Sequence, residues 1–207
     1  MASLFAIGIA IGALTGVPIG PVNVAVIDAA YRHTLRRAIA VGLGGAIADF
    51  VYATLGIVGI GPYLLEYPLL PRILYGVSGV VLIGYGAITV RTRPVTPLTA
   101  HAPKSPTPSS EVWSGMQVGL ALILLNPAAL VTWVVIVGSH LADVGTIDGL
   151  AASTGIFAGS FAWFALVAYL TNHGKRIMGD KAVWIPRAVG VLLVGYGVYS
   201  IVRALLP

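Results

Sequence analysis

Asp49 sits in the middle of an apolar stretch, about eleven residues from either end of the segment 38–61. At the helical rise that is roughly 16 Å from each edge, close to a bilayer midplane. Holding a carboxylate there costs a few kcal/mol, so such residues face a bundle interior and mark an ion, proton or substrate path. Gly42, Gly45, Ala46, Ala53 and Gly56 share its face at spacings of three, four and seven, a small-residue stripe suited to close helix packing rather than lipid. The carboxylate can neutralise an arriving ammonium or hold a proton, one at a time. That is the chemistry of proton-for-amine exchange. The plainer alternative is a structural acid held by Tyr52 or by helix backbone.

A second set of residues lies where the chain interrupts its own helices. "TGVPIGPVN" at 15–23 places Pro18 and Pro21 beside Gly20 and Asn23, and "LLNPAAL" at 124–130 places Pro127 beside Asn126. Proline lacks the N–H and clashes with the preceding turn, so Pro18, Pro21 and Pro127 would release the carbonyls of Leu14, Val17 and Ile123. Free backbone at membrane depth is tolerated only against protein or a water-filled cavity. Paired interruptions in corresponding helices point to a transport site, where half-helix N-termini favour carboxylates and loose carbonyls favour cations. The candidate substrate-binding set is therefore Asp49, Gly20, Pro21, Asn23, Asn126 and Pro127. Trp163 joins it from the repeat described below, which sets it opposite Asp49.

The elements that must position these groups follow from composition. Of 207 residues, 57% are hydrophobic and 9% charged, against roughly a quarter charged in soluble domains. Six stretches reach the spanning length of about 20 residues, at 3–28, 38–61, 70–91, 113–139, 149–171 and 182–205. The N-terminal run lacks a basic opening and is longer than a cleaved signal, so it is expected to remain as the first span. The net charge of +5 is not a nucleic-acid signature, because nine of the twelve basic residues fall in alternate loops at 29–37, 92–112 and 172–187, and a tenth, Arg91, borders the second of these. The positive-inside rule makes those loops cytoplasmic and both termini external. Asp28, near Arg32 at a span end, reads as an interfacial ion pair.

Residues 92–112 are rich in proline, serine and threonine and read as a cytoplasmic linker. On either side the chain repeats. "GVVLIGYG" at 79–86 returns as "GVLLVGYG" at 190–197, six identities in eight at an offset of 111, and "GGAIADF" (44–50) falls loosely opposite "AGSFAWF" (158–164). The expected fold is an all-α integral membrane protein of six transmembrane helices in a 3+3 inverted repeat, with proline-broken first and fourth helices. Residues 1–91 and 113–207 form the two halves. Three spans per copy force the second copy upside down, a plan that recurs in secondary transporters.

Other features mark packing or exclude chemistries. Gly8, Gly12, Gly16 and Gly20 form a ridge on the first stretch, which serves either a homodimer seam or an internal helix contact. Trp113 and Trp184 sit near span ends, as interface anchors do. The absence of cysteine removes disulfides, thiolate metal sites and thiol redox relays, and no histidine cluster within a span suits a transition metal. No cofactor is expected. "GVSG" at 76–79 has the shape of an intramembrane serine protease motif, but His33, His101, His140 and His173 all lie in loops or at span ends, away from a base's required reach of Ser78. No phosphate-binding G-x-x-x-x-G-K-[ST] occurs.

"PIGPVN", the basic "YRHTLRRA", "GLGGAIADFVYATLG", "LLNPAALVTW" and "RAVGVLLVGYGVY" together resemble the LysE/RhtB family of bacterial amino-acid exporters over nearly the whole chain. The most specific pieces are Gly20-Pro21-x-Asn23, Asp49 and Asn126-Pro127. The resemblance implies a multi-pass exporter of the bacterial cytoplasmic membrane, driven by a proton or Na⁺ gradient rather than ATP, with an amino acid as cargo. Members commonly carry lysine after the second Asn-Pro; here Ala128 stands there, so the resemblance implies no substrate preference. A small inorganic cation, carried elsewhere in the wider superfamily, is the alternative cargo.

Overall fold

In a computed structural model the described residues are 1–17, 20–57, 69–91, 107–126, 129–130, 133, 145–178 and 184–205. Pro18, Pro127 and most of the expected linker lie outside them. Seven helices are described: α1 Ala2–Gly16, α2 Pro21–Arg32, α3 Leu35–Ile57, α4 Leu69–Arg91, α5 Pro108–Leu124, α6 Thr146–Met178 and α7 Trp184–Leu205, with no strand among the described residues. Helix α3 and residues Thr146–Gly174 of α6 are each long and apolar enough to cross a membrane, and α1 with α2 adds a third if the bent pair is one span. Helix α5 opens at Pro108 after an extended Thr107, within the stretch expected to be linker. Proline suits that first position because its missing N–H has no helical partner there.

The molecule is apolar outside and small and polar within. Ile7, Leu14, Val80, Ile88, Leu166, Leu170, Val191 and Leu192 are exposed, whereas Asn23, Asp28, Asp49, Asn126, Ser153, Ser160 and Ser200 are buried among many alanines. Such a surface suits lipid, and such an interior lets helix backbones approach. The glycine ridge of α1 is taken up inside the chain. Gly8 and Gly12 lie against the backbone of α6 at Ala152–Ile156, and Gly16 lies against the indole of Trp163. Likewise α3 packs along α5 through Gly44, Gly115 and Gly119, and α4 packs antiparallel to α7, with Gly79 facing Gly197 and Gly86 facing Gly190.

The first apolar stretch is divided. Helix α1 stops at Gly16, Gly20 is extended, and α2 begins with Pro21 at its first position, the two axes differing by 74°. Helix α2 is buried along most of its length, by α3, α5, α6 and α7. Carbonyls expected to be free are recaptured by tight terminal turns. Leu14 accepts the Val17 N–H at 3.2 Å and Ile123 accepts the Asn126 N–H at 2.9 Å.

Candidate functional site

A side chain satisfies one carbonyl at each interruption. At the end of α1 the Asn23 amide reaches back seven residues and donates from Nδ2 to the Gly16 carbonyl at 2.6 Å. At the end of α5 the Tyr52 hydroxyl donates to the Leu124 carbonyl at 2.7 Å. Tyr52 therefore braces the second interruption and not Asp49, contrary to the alternative weighed from sequence. Removing that hydroxyl as Tyr52→Phe leaves the Leu124 carbonyl without this donor. The expected loss is about 1 kcal/mol of stability, read as a lower thermal midpoint in detergent.

Between the interruptions lies a cavity of about 270 Å³. Gly20, Pro21 and Asn23 line it from the start of α2, Asp49 from α3, Asn126 from the turn after α5, and Tyr196 from α7. Val22, Ile123, Ala129, Trp133 and Phe164 complete an apolar wall. Five of the residues singled out in the sequence thus meet in one place. Pro18 and Pro127 lie outside the described residues. Trp163 stands behind the wall, donating Nε1–H to Asn23 Oδ1 at 3.2 Å. Asn23 is therefore engaged at both ends of its amide.

Asp49 is 5% exposed and supplies the one acidic side chain among the described lining residues. Its Oδ1 accepts the indole N–H of Trp133 at 2.8 Å, and the Ser160 hydroxyl is within hydrogen-bonding range of the same carboxylate. Trp133 is 2% exposed. Sequence reasoning missed it, although an indole N–H well inside an apolar stretch must find an acceptor. Asn126 lies within reach of the Tyr196 hydroxyl, and its backbone carbonyl restarts helical bonding by accepting the N–H groups of Ala129 and Leu130 at 3.1 and 3.2 Å. One carboxylate, no cation among the described lining residues, and neutral donors around an apolar wall suit a small organic cation or zwitterion.

The far end of α2 carries a separate cluster. Asp28 and Arg32 approach to 2.6 Å, and the Tyr85 hydroxyl of α4 donates to Asp28 at 3.4 Å. This is the ion pair expected from spacing, with Asp28 buried and Arg32 half-buried. In the following turn, burial and then the Arg37 and Arg32 guanidinium groups push His33 below the ordinary histidine value. It is neutral near pH 7 and adds no charge to this basic end.

Comparison with known proteins converges on one family. Residues 13–203 match the family described as LysE type translocator. The chain is similar to the lysine exporter LysE of Corynebacterium efficiens, 29% identical over 94% of this chain and 96% of that protein. It is also similar to the arginine exporter ArgO of Salmonella paratyphi C, 26% identical over 95% and 93% of the two chains. The YcgF protein of Bacillus subtilis is 24% identical over 95% and 94%. No solved structure matches the chain.

Proposed function

Because the chain belongs to the LysE type translocator family, we propose that it is a secondary-active exporter of amino acids across the bacterial cytoplasmic membrane, coupled to protons through Asp49. The observation that carries this reading is a buried carboxylate on a cavity where two helix interruptions meet. A cytosolic amino acid would set its ammonium against Asp49. Its carboxylate would meet the N–H groups at the start of α2 and the Asn126 amide, where the helix dipole favours negative charge. A proton from outside would then replace the ammonium on Asp49 and release the cargo outward. In this reading 1–91 and 113–207 are inverted halves, both termini are external, and the activity is transport rather than catalysis.

The packing of the halves supports the inverted plan. At the repeat's offset of 111, Gly79 corresponds to Gly190 and Gly86 to Gly197. Exchanging the halves converts the Gly79–Gly197 contact into the Gly190–Gly86 contact, so one antiparallel crossing is built twice from equivalent residues. The α1–α6 and α3–α5 pairings exchange in the same way. The second half also sends two tryptophan N–H groups to oxygens of the first, Trp163 to Asn23 and Trp133 to Asp49.

Counterflow in proteoliposomes tests the function. Vesicles loaded with unlabelled lysine, arginine, threonine or leucine are expected to accumulate the same labelled amino acid transiently, faster with an imposed proton gradient. A folded protein that exchanges none of a full amino-acid panel would refute the reading and turn attention to inorganic cations.

A further inference from the structure

Two buried hydroxyls, one on the helix that carries Asp49 and one on the helix that carries Ser160, have no hydrogen-bond partner in the protein. Three other helical hydroxyls bond back to their own turn: Thr15 to the Ile11 carbonyl at 3.0 Å, Thr154 to Leu150 at 2.8 Å and Ser200 to Tyr196 at 2.9 Å. Thr54 on α3 and Ser153 on α6 do not, although both oxygen atoms are buried and Ser153 is fully enclosed. The two helices pack side by side. Gly42 lies on Phe164 and Gly149 on Ile57, an antiparallel register that sets Ala53 opposite Ser153 and Thr54 opposite Ala152. Buried polar groups without protein partners are ordinarily satisfied by ordered water.

The same face of α6 leads to Asp49. Ser160 stands seven residues beyond Ser153, two helical turns or roughly 10 Å along the axis. Its Oγ lies 3.3 Å from the Gly12 carbonyl and within hydrogen-bonding range of the Asp49 carboxylate. In the other direction α6 runs from Ser153 to its own start, where Asp148 is 45% exposed. The hydroxyls thus form two tiers between a buried carboxylate and the surface that the positive-inside rule makes external.

We propose that Ser153, Thr54 and Ser160, bridged by water, carry the coupling proton between the outer surface and Asp49, an inference that rests on the proton-coupled reading above. In each hop an oxygen accepts a proton from its outer neighbour and releases its own proton inward, so every hydroxyl and water ends as it began. The net change is one proton lost by external water and one gained by the carboxylate of Asp49. No electron moves. The lining of the cargo cavity includes Asp49 but not Thr54, Ser153 or Ser160. Proton and cargo therefore reach the same carboxylate by different routes.

The test separates those routes. Thr54→Val keeps shape and Ser153→Ala opens little space, so the double variant removes both oxygens with minimal repacking. With whichever of labelled lysine, arginine, threonine or leucine the wild type exchanges, counterflow without a gradient is expected to stay within about twofold of wild type. Accumulation driven by an imposed proton gradient is expected to fall at least tenfold, and Thr54→Ser, which keeps a hydroxyl, should retain it. Unchanged gradient-driven accumulation in the double variant would overturn the path, as would an equal loss of both activities, which marks a packing role. If the double variant does not fold, Thr54→Val and Ser153→Ala are read singly by the same ratio. Wild type that exchanges amino acids but ignores the gradient would instead overturn proton coupling itself.

Discussion

Asp49→Asn is expected to lower amino-acid exchange at least a hundredfold in proteoliposomes while leaving the protein folded. The two side chains have the same shape, and the amide oxygen can still accept the Trp133 N–H that now reaches Oδ1 at 2.8 Å. What is lost is the negative charge on a cavity with no other acidic side chain among its described lining residues. Removing one partner of a buried, hydrogen-bonded charge pair costs 2–5 kcal/mol. About 3 kcal/mol is two powers of ten in affinity. The empty protein should respond in the opposite direction, because a neutral amide is less costly to bury than an unpaired carboxylate. A thermal midpoint at or above wild type, together with lost counterflow, would assign Asp49 to transport. Intact counterflow would reduce it to a packing residue.

Much of this site was legible in the sequence because its signals are local. A carboxylate at mid-span and prolines beside asparagines violate the ordinary chemistry of a membrane helix, and any such violation needs a tertiary answer. Which answer is chosen is not local. Tyr52 could serve Asp49 or a carbonyl, and only the crossing of α3 against the end of α5 selects Leu124. Asn23 was expected at the site for its place beside Pro21, and the structure engages both ends of its amide, with Gly16 and Trp163. Trp133 was passed over since its value depends on a residue 84 positions away. The break in the first stretch was expected at Pro18 and Pro21, but its size was not: apolar content continues through Val17 and Ile19 into Pro21 and Val22, so hydropathy reads one span where α1 and α2 differ by 74°. The glycine ridge was likewise visible, but a ridge does not name its partner. Helix α6 does.

Those ridges carry the other large effect. At the crossing of α3 and α5, a Cβ on Gly119 would fall on the carbonyl oxygen of Val41 and come within 2.8 Å of the Gly45 nitrogen. Both obstacles are backbone, so no side chain can rotate away, and the two helices would have to separate along their length. Overpacking of a fitted interior costs 1–3 kcal/mol or more even where side chains can yield. Gly119→Leu is therefore expected to cost at least about 3 kcal/mol, a large share of the roughly 5–15 kcal/mol that holds an ordinary domain together. Even Gly119→Ala meets the Val41 carbonyl. Gly84 and Gly195 are the controls, since no atom lies within 4 Å of a Cβ built on either. Alanine there should be neutral or stabilising, by up to roughly 1 kcal/mol, because it restrains the helix without meeting a neighbour. Yield of monodisperse protein on size exclusion and the thermal midpoint in detergent read both arms. Equal behaviour of Gly119→Ala and Gly84→Ala would mean that α3 and α5 do not cross at Gly119. The frame that holds Asp49 over the second interruption would then have to be drawn differently.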